Sequence, residues 1–387
     1  FLPALFAVQR LAVALLLLLS FALPASALEH VVCQQEGKTV HLDGKVLSDL
    51  QGGGLVLQTR DGRLWNITGK ELQQRDHDDA PFNPCTAAEL RKQTLAELPT
   101  GFDTISTAHY MIFFNTSRGF AQWSGALFER LYSAFNNFWT HRGFKMHDAS
   151  LPLVVIIYAD RQTYAKQAAD EIGAGSKNVI GYYHLFTNRV KTFDLTGVES
   201  LRQSGEKRVD AAQQVNQLLS QPQAEIMVAT IIHEATHQIA FNCGLQQRLA
   251  DVPLWVSEGL ATYFETPDLN YGKGWRTIGE VNPPRLDLFH QYMNRRPADS
   301  LTTLLIDDKR FRNPEGALDA YAEAWSLNYF LLRQHAKEYQ AYLEVIAAKE
   351  PLETDSPEER VKEFKSAFGN DLAALDAEFL RYMARVK

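Results

Sequence analysis

The spacing of apolar positions changes character along the chain, and each change marks a different kind of structure. From His30 to about Thr68 apolar residues recur at every second position in short runs: Thr39-Val40-His41-Leu42, Lys45-Val46-Leu47, Leu55 to Thr59 and Leu64 to Ile67. Period two is that of half-buried strands, and Asp61-Gly62 between the last two runs is a hairpin turn signal. This pattern predicts a small β module of barrel-like build over residues 28–72. The polar run Gln73-Gln74-Arg75-Asp76-His77-Asp78-Asp79 predicts a linker, and Thr86-Ala87-Ala88-Glu89 a capping box opening a short helix to Leu98.

From residue 100 the runs lengthen. His109 to Phe114 predicts a buried strand, followed by a helix whose stripe is Phe120, Trp123, Leu127, Phe128, Leu131, Phe135, Phe138 and Trp139. Leu153 to Tyr158 is the next strand; Asp160 can cap a helix reaching Ile172 before Gly173. Tyr182 to Phe186 and Val190 to Leu195 form a hairpin about Thr187-Asn188. Beyond Glu265 the chain is loop-rich through Gly274, Pro283 and Pro284, then mainly helical. Leu318, Tyr321, Trp325, Tyr329 and Leu332 make one stripe there, and Ser356-Pro357-Glu358-Glu359 caps a helix ending before Gly369.

Between these parts lies Ile231-Ile232-His233-Glu234-Ala235-Thr236-His237-Gln238-Ile239-Ala240, where the pattern is apolar nearly all round. Such a helix is buried. His233 and His237 lie one turn apart on one face, so both imidazoles can reach one cation with Glu234 beside it. A solvated polar turn is the alternative, but the apolar flanks Ile226, Met227 and Val228 oppose it. Buried, these side chains need partners, and a cation serves all three.

A catalytic cation keeps three protein ligands and one open position, so a third donor is required. Glu258, near the start of a second helix over Trp255 to Phe264, is the candidate, against its reading as an ordinary helix-start acid. Twenty residues separate it from His237, enough to end one helix at Gly244 and return. Gly259 and Ala261 are small enough to let the second helix approach the first, and Thr262, one turn after Glu258, is placed to hydrogen-bond near the cation. His184 is a further possible ligand, though a satisfied strand histidine is the commoner case. Cys243 lies six positions beyond His237 and off the metal face, as a small buried residue would.

His233-Glu234-x-x-His237, followed by Glu258 in the setting Trp255-x-x-Glu258-Gly259-x-Ala261-x-Tyr263, resembles the gluzincin zinc metallopeptidases, the second stretch especially the aminopeptidase N type. The likeness covers residues 222 to 265. More widely, Thr107 through Gly197 and the tail are similar to secreted bacterial proteins grouped by a peptidase MA-like domain. The resemblance implies an α+β fold: a zincin-like catalytic domain over residues 100–387, with a mixed sheet, an active-site helix and a helical C-terminal part, preceded by the β module. It also implies one Zn2+ per chain on His233, His237 and Glu258, an edge strand that binds extended peptide, and a tyrosine or histidine beyond the third ligand that supports the oxyanion. Tyr321 is the candidate for that last role, with a plain core tyrosine as the alternative. Two imidazoles and one carboxylate leave a bound zinc net positive, which acidifies water, and Glu234 is placed to take the proton. A Gly-x-Met-Glu-Asn stretch, with which aminopeptidases of that type grip a free amine, is absent from the sequence.

Residues 1–27 hold Arg10, an apolar run from Leu11 to Leu23 broken by Ser20, and Ala25-Ser26-Ala27. This predicts a cleaved secretion signal rather than an anchor, the run being short of the about 20 residues a span needs. The expected protein is therefore exported, to the periplasm, envelope or medium, with no stable membrane span. A net charge of -7 gives no electrostatic reason to bind nucleic acid. Cys33 and Cys85 flank the β module and can pair in an oxidising compartment. Three functions fit: a zinc endopeptidase acting on peptide or protein substrates, a zincin-fold protein that binds peptides without cutting, and a zinc hydrolase of another amide or ester.

Overall fold

The computed structural model describes residues 27–35, 37–197, 212–266, 268 and 275–387. The segment expected to be a secretion signal, apart from Ala27, and part of the loop expected through Gly274 lie outside them. The chain divides into two compact units, one of Phe1–Arg60 with Leu64–Pro84 and one of Asp61–Arg63 with Cys85–Lys387. No helix of the described residues is long and apolar enough to cross a membrane. The architecture is α+β.

The first unit is an antiparallel sheet of β1 (Ala27–Gln35), β2 (Lys38–Asp49), β3 (Leu55–Thr59), β4 (Leu64–Ile67) and β5 (Leu72–Pro81), in the order β4-β3-β2-β1-β5. Val31, Cys33, Leu42, Leu55, Leu57 and Ile67 form its core. Three expectations need correction. The sheet is open, with β4 and β5 at its edges, and not a closed barrel. β2 runs unbroken through Gly44, which pairs with both Glu29 and Thr59; a side chain there would strike the Gln58 carbonyl, so glycine marks a close backbone approach and not a break. The polar run 73–79 is no linker but most of β5, laddered to β1 from Leu28↔Asp78 to Cys33↔Leu72. Its polarity is that of an exposed edge strand, where charge discourages pairing with another chain. Arg75 in it meets Glu29 at 2.9 Å and Asp49 at 2.7 Å.

The second unit carries the mixed sheet β6 (Asp103–Ser106), β7 (Tyr110–Phe114), β8 (Leu153–Tyr158), β9 (Gly181–His184) and β10 (Arg189–Phe193), ordered β6-β7-β8-β10-β9. The central three strands are parallel, and the edge strands β6 and β9 run antiparallel to their neighbours. β6 is too short and too polar at its ends to be seen in the pattern. Its helices begin with α1 (Ala87–Glu97), α2 (Arg118–Thr140) and α3 (Arg161–Ile172), whose first turns are capped by Thr86, Ser117 and Asp160. The expected stripe of α2 is buried, with Phe138 half-buried. Then follow α4 (Ala212–Leu219), α5 (Glu225–Asn242), α6 (Leu254–Phe264), α7 (Pro283–Met293), α8 (Ser300–Ile306), α9 (Lys309–Arg312), α10 (Ala317–Gln334), α11 (Ala336–Ala347), α12 (Pro357–Phe368) and α13 (Leu372–Met383).

One detail of the helical part departs from the pattern. Leu318 does not belong to the buried stripe of α10: it lies in the first turn, 62% exposed, while Trp325, Tyr329 and Leu332 are buried. Cys33 is buried in the core of the first unit, and Cys85 and Cys243 in that of the second.

Gly259 brings α6 against α10, not against α5. A Cβ there would lie 2.7 Å from the Ala324 carbonyl and collide with the Asn328 amide, which is fixed by donating to Trp255 O at 2.9 Å and Ala324 O at 2.8 Å. Gly259→Ala should therefore cost about 1–3 kcal/mol of stability, read as a lower midpoint in thermal denaturation; an unchanged midpoint would show that the two helices can separate freely.

Candidate metal centre

α5 is apolar on nearly every face and is buried accordingly, through Val228, Ile231, Ile232, Ala235, Ile239 and Ala240. It ends at Cys243, after which Gly244 turns the chain with φ +96°. The loop then returns to α6. Pro253 at the cap of α6 offers no side-chain bond, and the Leu254 N–H donates instead to Asp308 Oδ1 at 3.0 Å, a cap supplied from the far side of the sequence.

This path brings Glu258 to the two histidines. His233 Nε2 lies 3.1 Å from Glu258 Oε2 and 3.1 Å from His237 Nε2, and His237 Nε2 lies 3.6 Å from Glu258 Oε1. Among the described residues these three are the group able to hold a metal ion. Donors about 3.3 Å apart are what a tetrahedral cation with bonds of about 2.0–2.1 Å requires, so the set fits a divalent metal. Burial works against charge on His233, but the carboxylates of Glu258 and Glu265 outweigh it and hold the imidazole well above its usual range. Burial also raises Glu258, yet His237 and His233 hold it far below the ordinary carboxylate range. A cation would replace the proton on the Nε2 side as the partner of Glu258.

Around the three donors lies a layer that the pattern left unnamed. His233 Nδ1 is 2.8 Å from Glu265 Oε1, and Glu265 in turn accepts from Arg285 Nη2 and Asn282 Nδ2, each at 3.3 Å. His237 Nδ1 is 3.2 Å from Ser257 Oγ, which donates to Gln246 Oε1 at 3.4 Å. Each imidazole is thus fixed through Nδ1 with Nε2 turned to the centre. Glu265 follows Glu258 by two helical turns, a spacing that puts both acids on one side of α6 and was the available signal.

The other candidates are placed as follows. Glu234 is half-buried beside the ligands; burial raises its carboxyl above the ordinary range, and its Oε2 accepts from the Tyr183 N–H at 2.7 Å. Tyr321, on α10, comes beside the third ligand: burial, then the nearby charges of Glu258 and Glu234, push its phenol far above its usual range. Its ring meets Phe311 edge-on at 5.3 Å and the Arg285 guanidinium at 5.6 Å. Thr262 does not serve the centre, because its hydroxyl donates back to Glu258 O at 2.8 Å and Gly259 O at 2.9 Å in its own helix. His184 is bonded to Thr187 Oγ1 at 3.0 Å, outside the ligand group, and Cys243 Sγ faces the Tyr132 hydroxyl at 3.6 Å.

Residues 227–353 match a family described as a protein of unknown function (DUF1570). That span holds the three donors together with Glu234, Ser257, Glu265, Arg285 and Tyr321. No curated protein matches the sequence.

Because Glu265 fixes His233 through Nδ1, Glu265→Gln should weaken metal affinity by about 10- to 100-fold while keeping one site per chain. Glu258→Ala, which deletes a donor, should abolish stoichiometric binding. Both are read by titration of the purified protein with zinc against a competing chelator, and equal affinities for wild type and Glu265→Gln would leave Glu265 without a role at the centre.

Proposed function

We propose that the protein is an exported zinc-dependent metallopeptidase, acting as an endopeptidase on peptide or protein substrates. The observation that carries this reading is the convergence of His233, His237 and Glu258 on one point, with the carboxylate of Glu234, outside that group, half-buried beside them. A cation held there supplies Lewis acidity, polarising a carbonyl and acidifying water. Two neutral nitrogens and one carboxylate, at the spacing of short four-coordinate bonds, favour zinc over metals that prefer six oxygen donors.

The chain's own residues supply the rest. Glu234, through the oxygen not bonded to Tyr183, takes the proton of the attacking water and passes it to the leaving amine. Tyr321 offers its hydroxyl to the carbonyl oxygen as charge builds there, a contact of a kind worth about 3–4 kcal/mol. A neutral phenol suits that role, and the buried acids around Tyr321 keep it neutral. The missing Gly-x-Met-Glu-Asn stretch favours cutting within a chain over trimming from its amino end. A protein that bound peptides without cutting them would have no use for an acid at Glu234.

Purified wild type should carry one zinc per chain and cleave unstructured casein in a chelator-sensitive way. Glu234→Gln should keep the zinc and lose turnover by a factor of about 10² to 10⁴. Cleavage undiminished in Glu234→Gln, or casein intact in the presence of stoichiometric zinc, would sink the peptidase reading.

A further inference from the structure

α5 presents two adjoining stripes. His233 and His237 form one; Glu234, Gln238, Phe241 and Asn242 fall at successive turns on the other. The second stripe is wholly engaged with the hairpin of β9 and β10. The side chains of Asn188 and Asn242 form a reciprocal amide pair, Asn188 Nδ2 donating to Asn242 Oδ1 at 2.8 Å and Asn242 Nδ2 to Asn188 Oδ1 at 2.7 Å. The Tyr183 hydroxyl donates to the same Asn188 Oδ1 at 2.8 Å, and its ring stacks on Phe241 with 6.0 Å between centroids. Gln238, fully buried, donates to Asn188 O and to Val154 O, each at 3.0 Å, tying the hairpin and β8 to the helix. Asn188 sits at φ +58°, a left-handed conformation that asparagine adopts more readily than most residues.

Glu234 is the one member of this stripe with a chemical task, and its partner is the main chain of the hairpin. In an antiparallel pair, opposite residues alternate between bonding across the ladder and facing away. Tyr183 lies opposite Val190 and sends its N–H away from β10, to Glu234 Oε2 at 2.7 Å. A glutamate has three side-chain torsions to fix before it can act as a base. That single N–H, held in place by Tyr183, Asn188, Asn242 and Gln238, restricts them.

We infer that the β9–β10 hairpin positions the general base: the lock of Tyr183, Asn188 and Asn242 on α5 sets the Tyr183 N–H, which sets Glu234 for proton transfer. The inference rests on the peptidase reading. Tyr183, Asn188 and Asn242 are positioning residues that touch neither metal ligand nor substrate, so they govern turnover and leave metal binding alone. The same contact occupies an outward donor of edge strand β9, so an extended substrate must find its main-chain partners elsewhere along that edge.

The test uses full-length zinc-loaded protein and two variants, Asn242→Ala and the milder Tyr183→Phe, each alone and combined with Glu234→Gln. Zinc per chain should stay at the wild-type value in all of them, which also certifies folding. On a fluorogenic peptide, Asn242→Ala should lower kcat by roughly 10- to 100-fold, the effect of a misplaced catalytic group, with KM changed less than about twofold. In the Glu234→Gln background the same change should have almost no further effect, because residues acting through one group are not additive. Equal losses in both backgrounds would overturn the inference. Amide hydrogen exchange at Tyr183 provides a readout independent of activity: it should be slow in wild type and at least roughly tenfold faster in Glu234→Ala, as for an amide freed from its bond. Exchange unchanged by that substitution would also overturn the inference. A wild type that cleaves no peptide but shows the exchange difference would refute the peptidase reading alone.

Discussion

Polar groups buried in an apolar helix must find partners, and that constraint organises the second unit. α5 lies against β9 and β10 on one side and against α2 and α6 on others, so its ligand stripe is largely shielded from water. An unpaired imidazole or carboxylate there would cost several kcal/mol. The structure meets the demand by convergence: Nε2 atoms turned to a common point with Glu258, Glu265 at ion-pair distance behind His233 and Ser257 bonded to His237 from behind.

The helices that deliver those partners are themselves fixed by polar contacts distant in sequence. α6 carries Ser257, Glu258 and, just past its end, Glu265, and its position depends on two such contacts. At its start, Asp308 caps Leu254 and is itself held by Arg360 at 3.2 Å, while Arg360 also pairs with Asp251 at 2.5 Å. At its middle, Gly259 admits the Asn328 amide between α6 and α10. Through α10 the same packing brings Tyr321 to Glu258. Ligand geometry is therefore set by the whole helical part and not by the two metal-bearing segments alone.

On its other stripe α5 meets the sheet. The reciprocal Asn188–Asn242 pair and the buried Gln238 join strand, hairpin and helix into one rigid corner, with the Tyr183 N–H as its point of contact with Glu234. Buried amides bonded in this way favour a single arrangement, because a slip leaves further donors and acceptors unpaired. Metal ligation and placement of Glu234 thus depend on different neighbours of one helix.

What the sequence determined by itself was local. Period and capping residues placed β7, α2, β8, α3, the β9–β10 hairpin and α5, since apolar spacing and caps act within a few residues. The spacing of His233 and His237 placed both imidazoles on one face, and a buried helix around them required a third donor. Tertiary structure decided the rest. The run 73–79 looked like a linker because an exposed edge strand and a loop are polar for the same reason, and only the ladder with β1 separates them. Thr262 and Gly259 occupy the expected positions on α6, yet one bonds its own helix and the other faces α10, because the rotation of a helix about its axis is settled by what packs on every side. Ser257, Asn188 and Asn242 were invisible for the same reason: their partners lie across the fold, where no spacing rule reaches.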